Sequence, residues 1–323
     1  MVTQARFSRR TFLGAVGGVA ATMAIAPMSV TLGAERLVAP GKLGIQLFTV
    51  RDRLRVDRPG GLGFAGLFEA LSSYGYKEVE FAGYNDRSGA TLADIVALMA
   101  DNDISGIGSH VGYGSFLSDI NQVLDDAEAL GLPFIGTANN PGRYGDTADG
   151  YRQAAEDFNN FGAAAAARGM KWYQHNHDGE FAFDPVTGER LYDVLLAETD
   201  PNLVYLQMDI FWAYVGQFRY SEWTDPSGTV HPRPFEPLDY VKAHPERYPL
   251  FHVKDGTSNP ASPRGYDFAN VGDGVIDFRT FFDEMPRRGA HHLIMERDDA
   301  SSDPEGSLHS AQVSAEYLLQ LRA

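Results

Sequence analysis

The sequence predicts an α/β protein whose strands form a parallel (β/α)8 barrel of the TIM type, in a single domain after an N-terminal signal segment. Between Lys42 and Ala323, short apolar stretches alternate eight times with amphipathic ones, a pattern that is typical of a barrel of parallel strands. The roughly 280 residues of this region also suit one barrel. An open doubly wound sheet is the competing arrangement. No Gly-x-Gly-x-x-Gly follows the first strand, so the dinucleotide chemistry usual for that sheet is missing, which favours the barrel.

Eight apolar stretches, bounded by Gly, Pro or polar residues, are predicted as strands. Each is too short for a typical helix, and most contain several β-branched or aromatic residues, which favour strands. The predicted strands cover 43–50, 77–81, 104–111, 133–138, 170–177, 203–210, 249–255 and 291–298.

Helices are predicted between the strands, where apolar residues recur at helical spacing. Thr91 is a typical N-cap of the second helix, and glycines at 75 and 131 end the first and the third. The predicted helices cover 64–75, 91–102, 116–131, about 150–168, 190–198, 238–243, 278–287 and 308–321.

One long irregular segment, Gly216 to Tyr248, follows the sixth strand and is rich in Pro, aromatic and charged residues. Long loops on this side of a barrel usually serve as a lid, a substrate wall or an oligomer contact. A segment without a function is the alternative.

Residues 1–34 have the layout of a twin-arginine export signal. The pair Arg9 and Arg10 precedes a weakly apolar run, rich in Ala and Gly, that ends at a predicted cleavage site at Ala34. The alternative is a membrane anchor, but a run of about 16 residues is short for a span, which needs roughly 20. The mature chain, 35–323, is therefore predicted to be periplasmic and not stably inserted in the membrane after cleavage.

The composition excludes several classes of function. The chain has no cysteine, so disulfides, thiolate metal sites and a cysteine nucleophile are excluded. The net charge is −16, and because the signal segment holds three arginines and no acid, the remaining 289 residues carry −19. So acidic a surface repels nucleic acids and anionic lipids. The expected partner is a small molecule, and self-association is left open.

Polar side chains stand at or near the ends of the predicted strands, and in such a barrel the C-terminal strand ends build the active site. They are Gln46, Glu80, His110, His175, His177, Glu180, Asp209, His252, Lys254 and Glu296. Each alone could be a core histidine or a solvated cap. Together they indicate a site, because several buried like charges repel one another without a cation.

Asp209, His252 and Glu296 come from three successive strands and offer oxygen and imidazole ligands to a metal ion. Glu180 or His177 would complete a set of two or three carboxylates and one or two imidazoles. Such a set, with open positions for substrate, favours Mn2+, Mg2+ or Co2+, whereas more imidazole would favour Zn2+.

Eight stretches, in their order and spacing, resemble the sugar phosphate isomerase/epimerase family of xylose isomerase-like barrels. They are KLGIQLFTVRD, YKEVEFAGY, GIGSHVG, YQHNHDGEF, LVYLQMDIFWA, PLFHVKDGT, VGDGVIDF and LIMERD. The resemblance covers essentially all of 42–323. It implies a divalent metal ion held by Glu, Asp, His and Glu from strands five to eight.

The resemblance implies Asp209, His252 and Glu296 as three of the ligands. Many members have a glutamate on the fifth strand itself, where this chain has Gln-His-Asn-His. Glu180 is therefore the expected fourth ligand, with His177 as the alternative.

The implied chemistry is proton transfer beside a carbonyl group, through an enediolate that a divalent ion stabilises. His177 or His175 is the predicted acid or base. Lys254 would stabilise negative charge, or else pair with Asp255 or Glu296, and Glu296 belongs to both the catalytic and the metal-binding set.

Two sets of side chains are predicted to contact the substrate. Gln46, Glu80 and His110 would bind its hydroxyl groups. An apolar wall for the face of a sugar would be formed by Phe48, Phe211 and Trp212, unless these pack within the barrel.

Three functions remain open at this stage. The first is a metal-dependent isomerase or epimerase of a keto-sugar or aldose. The second is a lyase or hydratase that cleaves 3-keto-glycosides by the same enolate chemistry, and the third is a non-catalytic periplasmic sugar-binding protein. Export favours a substrate without phosphate.

Overall fold

Eight short parallel strands form the centre of the computed structural model, which describes residues 35–39, 41–84 and 89–323. The signal segment predicted for 1–34 lies outside these residues. The strands are β1 Leu43–Gln46, β2 Glu78–Phe81, β3 Ser105–Ser109, β4 Phe134–Thr137, β5 Lys171–His175, β6 Val204–Asp209, β7 Leu250–Val253 and β8 His292–Met295. The predicted (β/α)8 barrel is confirmed.

The strands form a nearly closed ring. They follow the order β3-β2-β1-β8-β7-β6-β5-β4, and β1 pairs in parallel with β8 through Leu43 and Leu293. Between β3 and β4 the ring closes by a bridge of His110 with Gly136 and by the Val111 N–H, which donates to the Gly136 carbonyl at 2.8 Å.

Nine α-helices in the described part of the chain surround the strands. They are α1 Gly63–Ser73, α2 Leu92–Asp101, α3 Tyr113–Ala129, α4 Ala148–Ala167, α5 Leu191–Glu198, α6 Ile210–Arg219, α7 Pro237–Ala243, α8 Phe278–Glu284 and α9 Ser307–Gln320. Thr91 is the N-cap of α2, in a reciprocal capping box with Asp94. In the described residues, no helix has the length and apolar character needed to cross a bilayer.

Helix α6 was not predicted. It begins directly after β6, where Asp209 acts as N-cap and its Oδ1 accepts a hydrogen bond from the Trp212 N–H at 2.9 Å. Two short hairpins, Glu222–Thr224 with Val230–Pro232 and Asp255–Ser258 with Tyr266–Ala269, were also missed. The segment predicted as irregular thus contains the end of α6, one hairpin and α7.

All eight strands are shorter than predicted, and the reason is clear at two of them. β1 ends at Gln46, because the chain turns there and the Thr49 N–H donates to the Gln46 carbonyl. β7 ends at Val253, because Asp255 already opens a hairpin.

The apolar core has two parts. The larger one lies between the ring of strands and the helices and includes Phe68, Phe158 and Trp172. A smaller cluster contains Ile107, Phe134, Tyr173, Leu250 and Ile294, all from barrel strands. Because alternate residues of a strand face the same side, the residues two positions further along these strands lie next to this small cluster. Four of the five are polar, namely Ser109, His175, His252 and Glu296.

Candidate active site

The site is built from alternate residues of neighbouring strands. Leu250 is followed two positions later by His252 and then by Lys254, and Ile294 is followed by Glu296. His252 is fully buried, and Lys254 and Glu296 are nearly so. One face of each strand therefore changes from apolar to charged toward its C-terminal end, which places the charges together at that end of the barrel.

Asp209, His252 and Glu296 meet at this end. His252 Nδ1 lies 2.7 Å from Glu296 Oε2 and 3.9 Å from Asp209 Oδ2. Since Oδ1 of Asp209 caps α6, Oδ2 is the oxygen that faces the site. Burial raises the pKa of Asp209 to about 6, against the opposing charges of Lys254 and His252.

Lys254 is the cation that balances these carboxylates. Its Nζ lies 2.9 Å from Asp209 Oδ2, 2.8 Å from Glu296 Oε2 and 2.9 Å from Asp298 Oδ1. Burial alone would lower the pKa of Lys254, but the three carboxylates raise it well above its ordinary value. The lysine therefore stays charged.

Glu80 lies beneath His252 and is fully buried. His252 Nε2 lies 2.5 Å from Glu80 Oε2, and the other donors are the side chains of Gln46 at 2.7 Å, Tyr173 at 2.6 Å and Gln207 at 2.7 Å. Burial would raise the pKa of Glu80, but electrostatic interactions with His110 and His252 and the hydrogen bonds from His252 and Tyr173 lower it to about 2. Its carboxylate orients His252 from behind and leaves Nδ1 directed at Glu296 and Asp209.

Gln207 connects two further imidazoles. Its Oε1 lies 2.8 Å from His110 Nε2 and 2.9 Å from His175 Nδ1. The other ring nitrogen of His175, Nε2, lies 3.7 Å from Asp209 Oδ2. Burial is the main cause that lowers the pKa of both histidines.

A cavity of about 490 Å3 reaches this cluster. It is lined by Phe48, Ala82, His110, Val111, Gly112, Ala138, Asn139, His175, His177, Lys254, Glu296 and Asp298. The ring of His177 lies beside those of His175 and Trp212, with centroid-to-centroid distances of 5.0 Å and 5.5 Å. Burial, followed by the charge of Lys254, lowers the pKa of His177 to about 3, so its imidazole is neutral at physiological pH.

The residues present fit a divalent metal ion. Single donor atoms of Asp209, His252 and Glu296 all lie within 4.8 Å of one another, as expected for ligands that share an ion at about 2.0–2.6 Å. Asp209 Oδ2 and His252 Nδ1 are buried without a hydrogen bond of regular geometry to the described residues. His110, His175 and His252 form a second group of this kind, but each has a ring nitrogen engaged with Gln207 or Glu80.

A family model, the xylose isomerase-like TIM barrel, matches residues 68–317. The chain belongs to this family.

Three known proteins show the range of similarity to this xylose isomerase-like barrel. Inosose dehydratase of Bacillus licheniformis is 24% identical over 184 residues, 53% of this chain and 54% of that protein, so the chain spans about half the length of this curated relative. A sugar phosphate isomerase/epimerase of Parabacteroides distasonis superposes with a TM-score of 0.66 at 20% identity, covering 94% of this chain and 100% of that one. The structure of the IOLI protein with a bound zinc atom has a TM-score of 0.63 at 13% identity, covering 87% and 97%.

Most of the predicted site residues of this barrel lie together. Three predicted ligands, Asp209, His252 and Glu296, converge, and Lys254 lies among them. Lys254 forms an ion pair with Glu296, which was one of the two pairings predicted as the alternative to a catalytic role. It also pairs with Asp209 and Asp298. The predicted acid–base residues line the cavity, as does His110.

Two predicted residues, Glu180 and Glu80, lie outside the groups of possible metal-binding donors. Glu180 is in neither metal-binding group; its Oε2 accepts a hydrogen bond from the His177 backbone N–H at 2.9 Å. Burial raises the pKa of Glu180 to about 8. Glu80 has both oxygens occupied by protein donors, so it holds His252 and has no oxygen free for a substrate hydroxyl group.

The remaining predicted residues divide between the cavity and the core. Gln46 binds Glu80 through Nε2, and its Oε1 accepts from the Phe48 N–H at 3.2 Å. Phe48 lines the cavity with 39% of its surface exposed. Phe211 is fully buried against Phe268, which makes it a packing residue.

Sequence reasoning missed Gln207, Asn139 and Asp298. Asp298 stands two positions after Glu296 and Gln207 two positions before Asp209, so the alternation of strand residues is a signal that could have found both. Asn139 lies beyond the end of β4, where that alternation no longer applies.

Proposed function

We propose that this xylose isomerase-like barrel is a divalent-metal-dependent enzyme that isomerises or epimerises a keto-sugar or aldose. The observation that carries the proposal is the convergence of Asp209, His252 and Glu296, next to a cavity that Glu296 and His177 line. The ion, when bound, supplies positive charge that stabilises an enediolate.

The fourth ligand that we propose is His175, in place of Glu180 or His177. Its Nε2 is 3.7 Å from Asp209 Oδ2, whereas the carboxylate of Glu180 is turned to the backbone of His177. Two carboxylates and two imidazoles suit Mn2+ or Co2+. A site with a second imidazole also binds Zn2+ more favourably than a site with a third carboxylate at that position. Since the charges of Glu80 and Glu296 raise the pKa of His252 to about 10 against burial, binding an ion would release a proton from Nδ1.

Three further side chains have proposed roles in the reaction. His177 is neutral and its ring makes no hydrogen bond with the described residues, so it can take a proton from a substrate carbon and return it. Lys254 carries positive charge into the cavity wall and can stabilise a developing oxyanion. Asn139 offers an amide to a hydroxyl group.

The cavity favours a substrate without a phosphate group. Among its described lining residues, Lys254 is the single Lys or Arg, and it already pairs with three carboxylates. A phosphate dianion is usually bound by arginine, by several cations or by the N-terminus of a helix. We therefore expect a free sugar or a glycoside.

The second candidate is a lyase or hydratase that acts on 3-keto-glycosides. Its support is the similarity to a protein named inosose dehydratase, since loss of a β-oxygen can start from the same proton abstraction. A protein that binds sugar without turnover is the third candidate.

One experiment separates the three. The purified mature chain is analysed for bound metal and assayed on keto-sugars and 3-keto-glycosides, before and after chelation, beside Asp209→Asn and the control Asp149→Asn, which changes an exposed carboxylate paired with Arg152. An isomerase or epimerase rearranges the sugar without a change in mass, a lyase releases the aglycone, and a binding protein gives neither. Turnover that survives both chelation and Asp209→Asn contradicts the proposal.

We also propose that the chain is exported to the periplasm by the twin-arginine route. The support is the pair Arg9 and Arg10 ahead of an apolar, Ala-rich run. Replacement of both arginines by lysine should leave the protein in the cytoplasmic fraction. Unchanged periplasmic recovery would contradict this.

A further inference from the structure

The orientation of the Gln207 side-chain amide follows from its neighbours. Gln207 is fully buried on β6, and its Nε2 donates to Glu80 Oε1 at 2.7 Å. Tyr173 donates to the same oxygen at 2.6 Å. Because an ionised carboxylate can only accept hydrogen bonds, the amide nitrogen must face Glu80. Its oxygen then faces the two imidazoles.

This orientation determines where both imidazoles carry their protons. An amide oxygen can only accept, so His110 Nε2, at 2.8 Å, and His175 Nδ1, at 2.9 Å, must both bear hydrogen. A neutral imidazole has one N–H. His175 is therefore the Nδ1–H tautomer and His110 the Nε2–H tautomer.

The tautomer of His175 leaves the lone pair of Nε2 on the side of Asp209. Nε2 and Asp209 Oδ2, both acceptors, lie 3.7 Å apart. Two acceptors at this separation repel unless a cation lies between them, and two ligands of one divalent ion would be about this far apart. The same geometry would be lost if His175 carried its proton on Nε2.

We propose that Gln207 is a positioning residue that fixes opposite tautomers in His110 and His175 and so directs the Nε2 lone pair of His175 at the metal site. The tautomer assignment stands on the hydrogen bonds and applies to neutral imidazoles. Its consequence for metal binding rests on the proposed function. The chain of contacts Glu80–Gln207–His175–Asp209 thus connects a carboxylate beneath the site to the metal-binding end of the barrel.

The test compares two glutamines that both donate to Glu80. Gln207→Met keeps the length of the side chain and removes its oxygen. Gln46→Met removes a donor to Glu80 Oε2 at 2.7 Å and leaves the contacts of His110 and His175 in place. Long-range 1H–15N spectra of histidine-labelled, metal-free protein report the tautomer of each of the nine histidines. The His110 and His175 signals are assigned with His110→Gln and His175→Gln.

In wild type and in Gln46→Met, His175 should show the Nδ1–H pattern and His110 the Nε2–H pattern. In Gln207→Met, His175 should lose the Nδ1–H pattern, and Co2+ affinity should fall about 10–100-fold, as is usual for loss of a partner behind a ligand. The melting temperature of each variant shows that it is folded.

Two outcomes overturn the inference: an Nε2–H pattern for His175 in wild type, or an Nδ1–H pattern that persists in Gln207→Met. A changed tautomer with unchanged Co2+ affinity supports the role of Gln207 as the residue that sets the tautomers and refutes His175 as a ligand. Failure of the metal hypothesis as a whole would instead appear as no Co2+ binding in wild type, with the tautomers as assigned.

Discussion

Replacement of Lys254 by methionine tests the charge balance of the site most directly. Methionine is similar in length and carries no charge, so Lys254→Met removes the buried ammonium and little volume. Three carboxylates then lose a partner at 2.8–2.9 Å. Asp209 and Glu296 are almost fully buried, whereas the Asp298 side chain is 23% exposed.

The expected loss of stability is large but bounded. With an effective dielectric constant of about 20, Coulomb's law gives about 6 kcal/mol for each contact near 2.9 Å. The carboxylates can respond by taking up protons, so the net loss should be close to the roughly 3–5 kcal/mol of a broken buried ion pair. At about 2 °C per kcal/mol for a domain of this size, the melting temperature should fall by roughly 6–10 °C.

The assay is thermal unfolding with and without Mn2+, beside the control Lys242→Met. Lys242 pairs with Glu284 at 2.6 Å on the surface, where the two side chains are 42% and 50% exposed, so its loss should cost about 0–1 kcal/mol. Mn2+ should stabilise Lys254→Met more than wild type, because the ion no longer competes with an ammonium for the same oxygens. A free ion at 100 times its dissociation constant adds about 2.7 kcal/mol.

Two results would refute this reasoning. One is equal melting temperatures for Lys254→Met and Lys242→Met without metal. The other is a stabilisation by saturating Mn2+ that is no larger in Lys254→Met than in wild type.

Three further predictions concern single residues. Burial raises the pKa of Glu180 to about 8, compared with about 4.3 in an unfolded chain. Between these two pH values the folded protein keeps a proton that the unfolded chain has released. The free energy of unfolding of the wild type therefore falls as the pH rises. Glu180→Gln removes this loss. In urea unfolding from pH 4 to pH 8.5, the free energy of unfolding of Glu180→Gln should therefore rise relative to that of the wild type. A difference between the two proteins that does not change with pH would contradict the raised pKa. His177→Gln should lower kcat by about 10²–10⁴-fold with Mn2+ affinity kept in calorimetry, whereas a matching loss of affinity would make His177 a ligand. Thr91→Ala removes the N-cap of α2 and should cost about 0.5–2 kcal/mol in urea unfolding without altering Mn2+ affinity, and an unchanged midpoint would show that the cap adds nothing.

The sequence was sufficient to predict the barrel and the centre of its candidate site, because both depend on local repetition. Most strands are short and largely apolar, and the predicted site residues stand near or beyond the C-terminal ends of the strands. Asp209, His252 and Glu296 follow that pattern on neighbouring strands and do converge. Once the order of the strands is known, parallel strands bring such ends together without further information.

The fifth strand shows where this reasoning fails. The stretch after Gln174 offers two histidines and a glutamate, and their directions depend on where the strand ends. The strand ends at His175, and Gly179–Phe181 forms a 3-10 turn that directs Glu180 to the backbone of His177. Composition alone does not locate that turn.

Glu80 shows a second limit. Its position at a strand end predicted contact with substrate, but its partners Gln46, Tyr173, Gln207 and His252 come from four other strands. A polar network of this kind depends on register across the barrel, which a single strand does not encode. Helix α6, in contrast, had a local signal, since an aspartate before a helical run is a common N-cap.

The position of β8 in the ring has a consequence for biosynthesis. β8 is the last barrel strand to be made, yet it lies between β1 and β7. Until His292 to Met295 have left the ribosome, β1 and β7 each present an edge with unpaired N–H and C=O groups, and such edges readily pair with other chains. The ring thus remains open through nearly the whole of translation. A chain that stops before His292 would lose the closure as well as the strand, and aggregation is its expected fate.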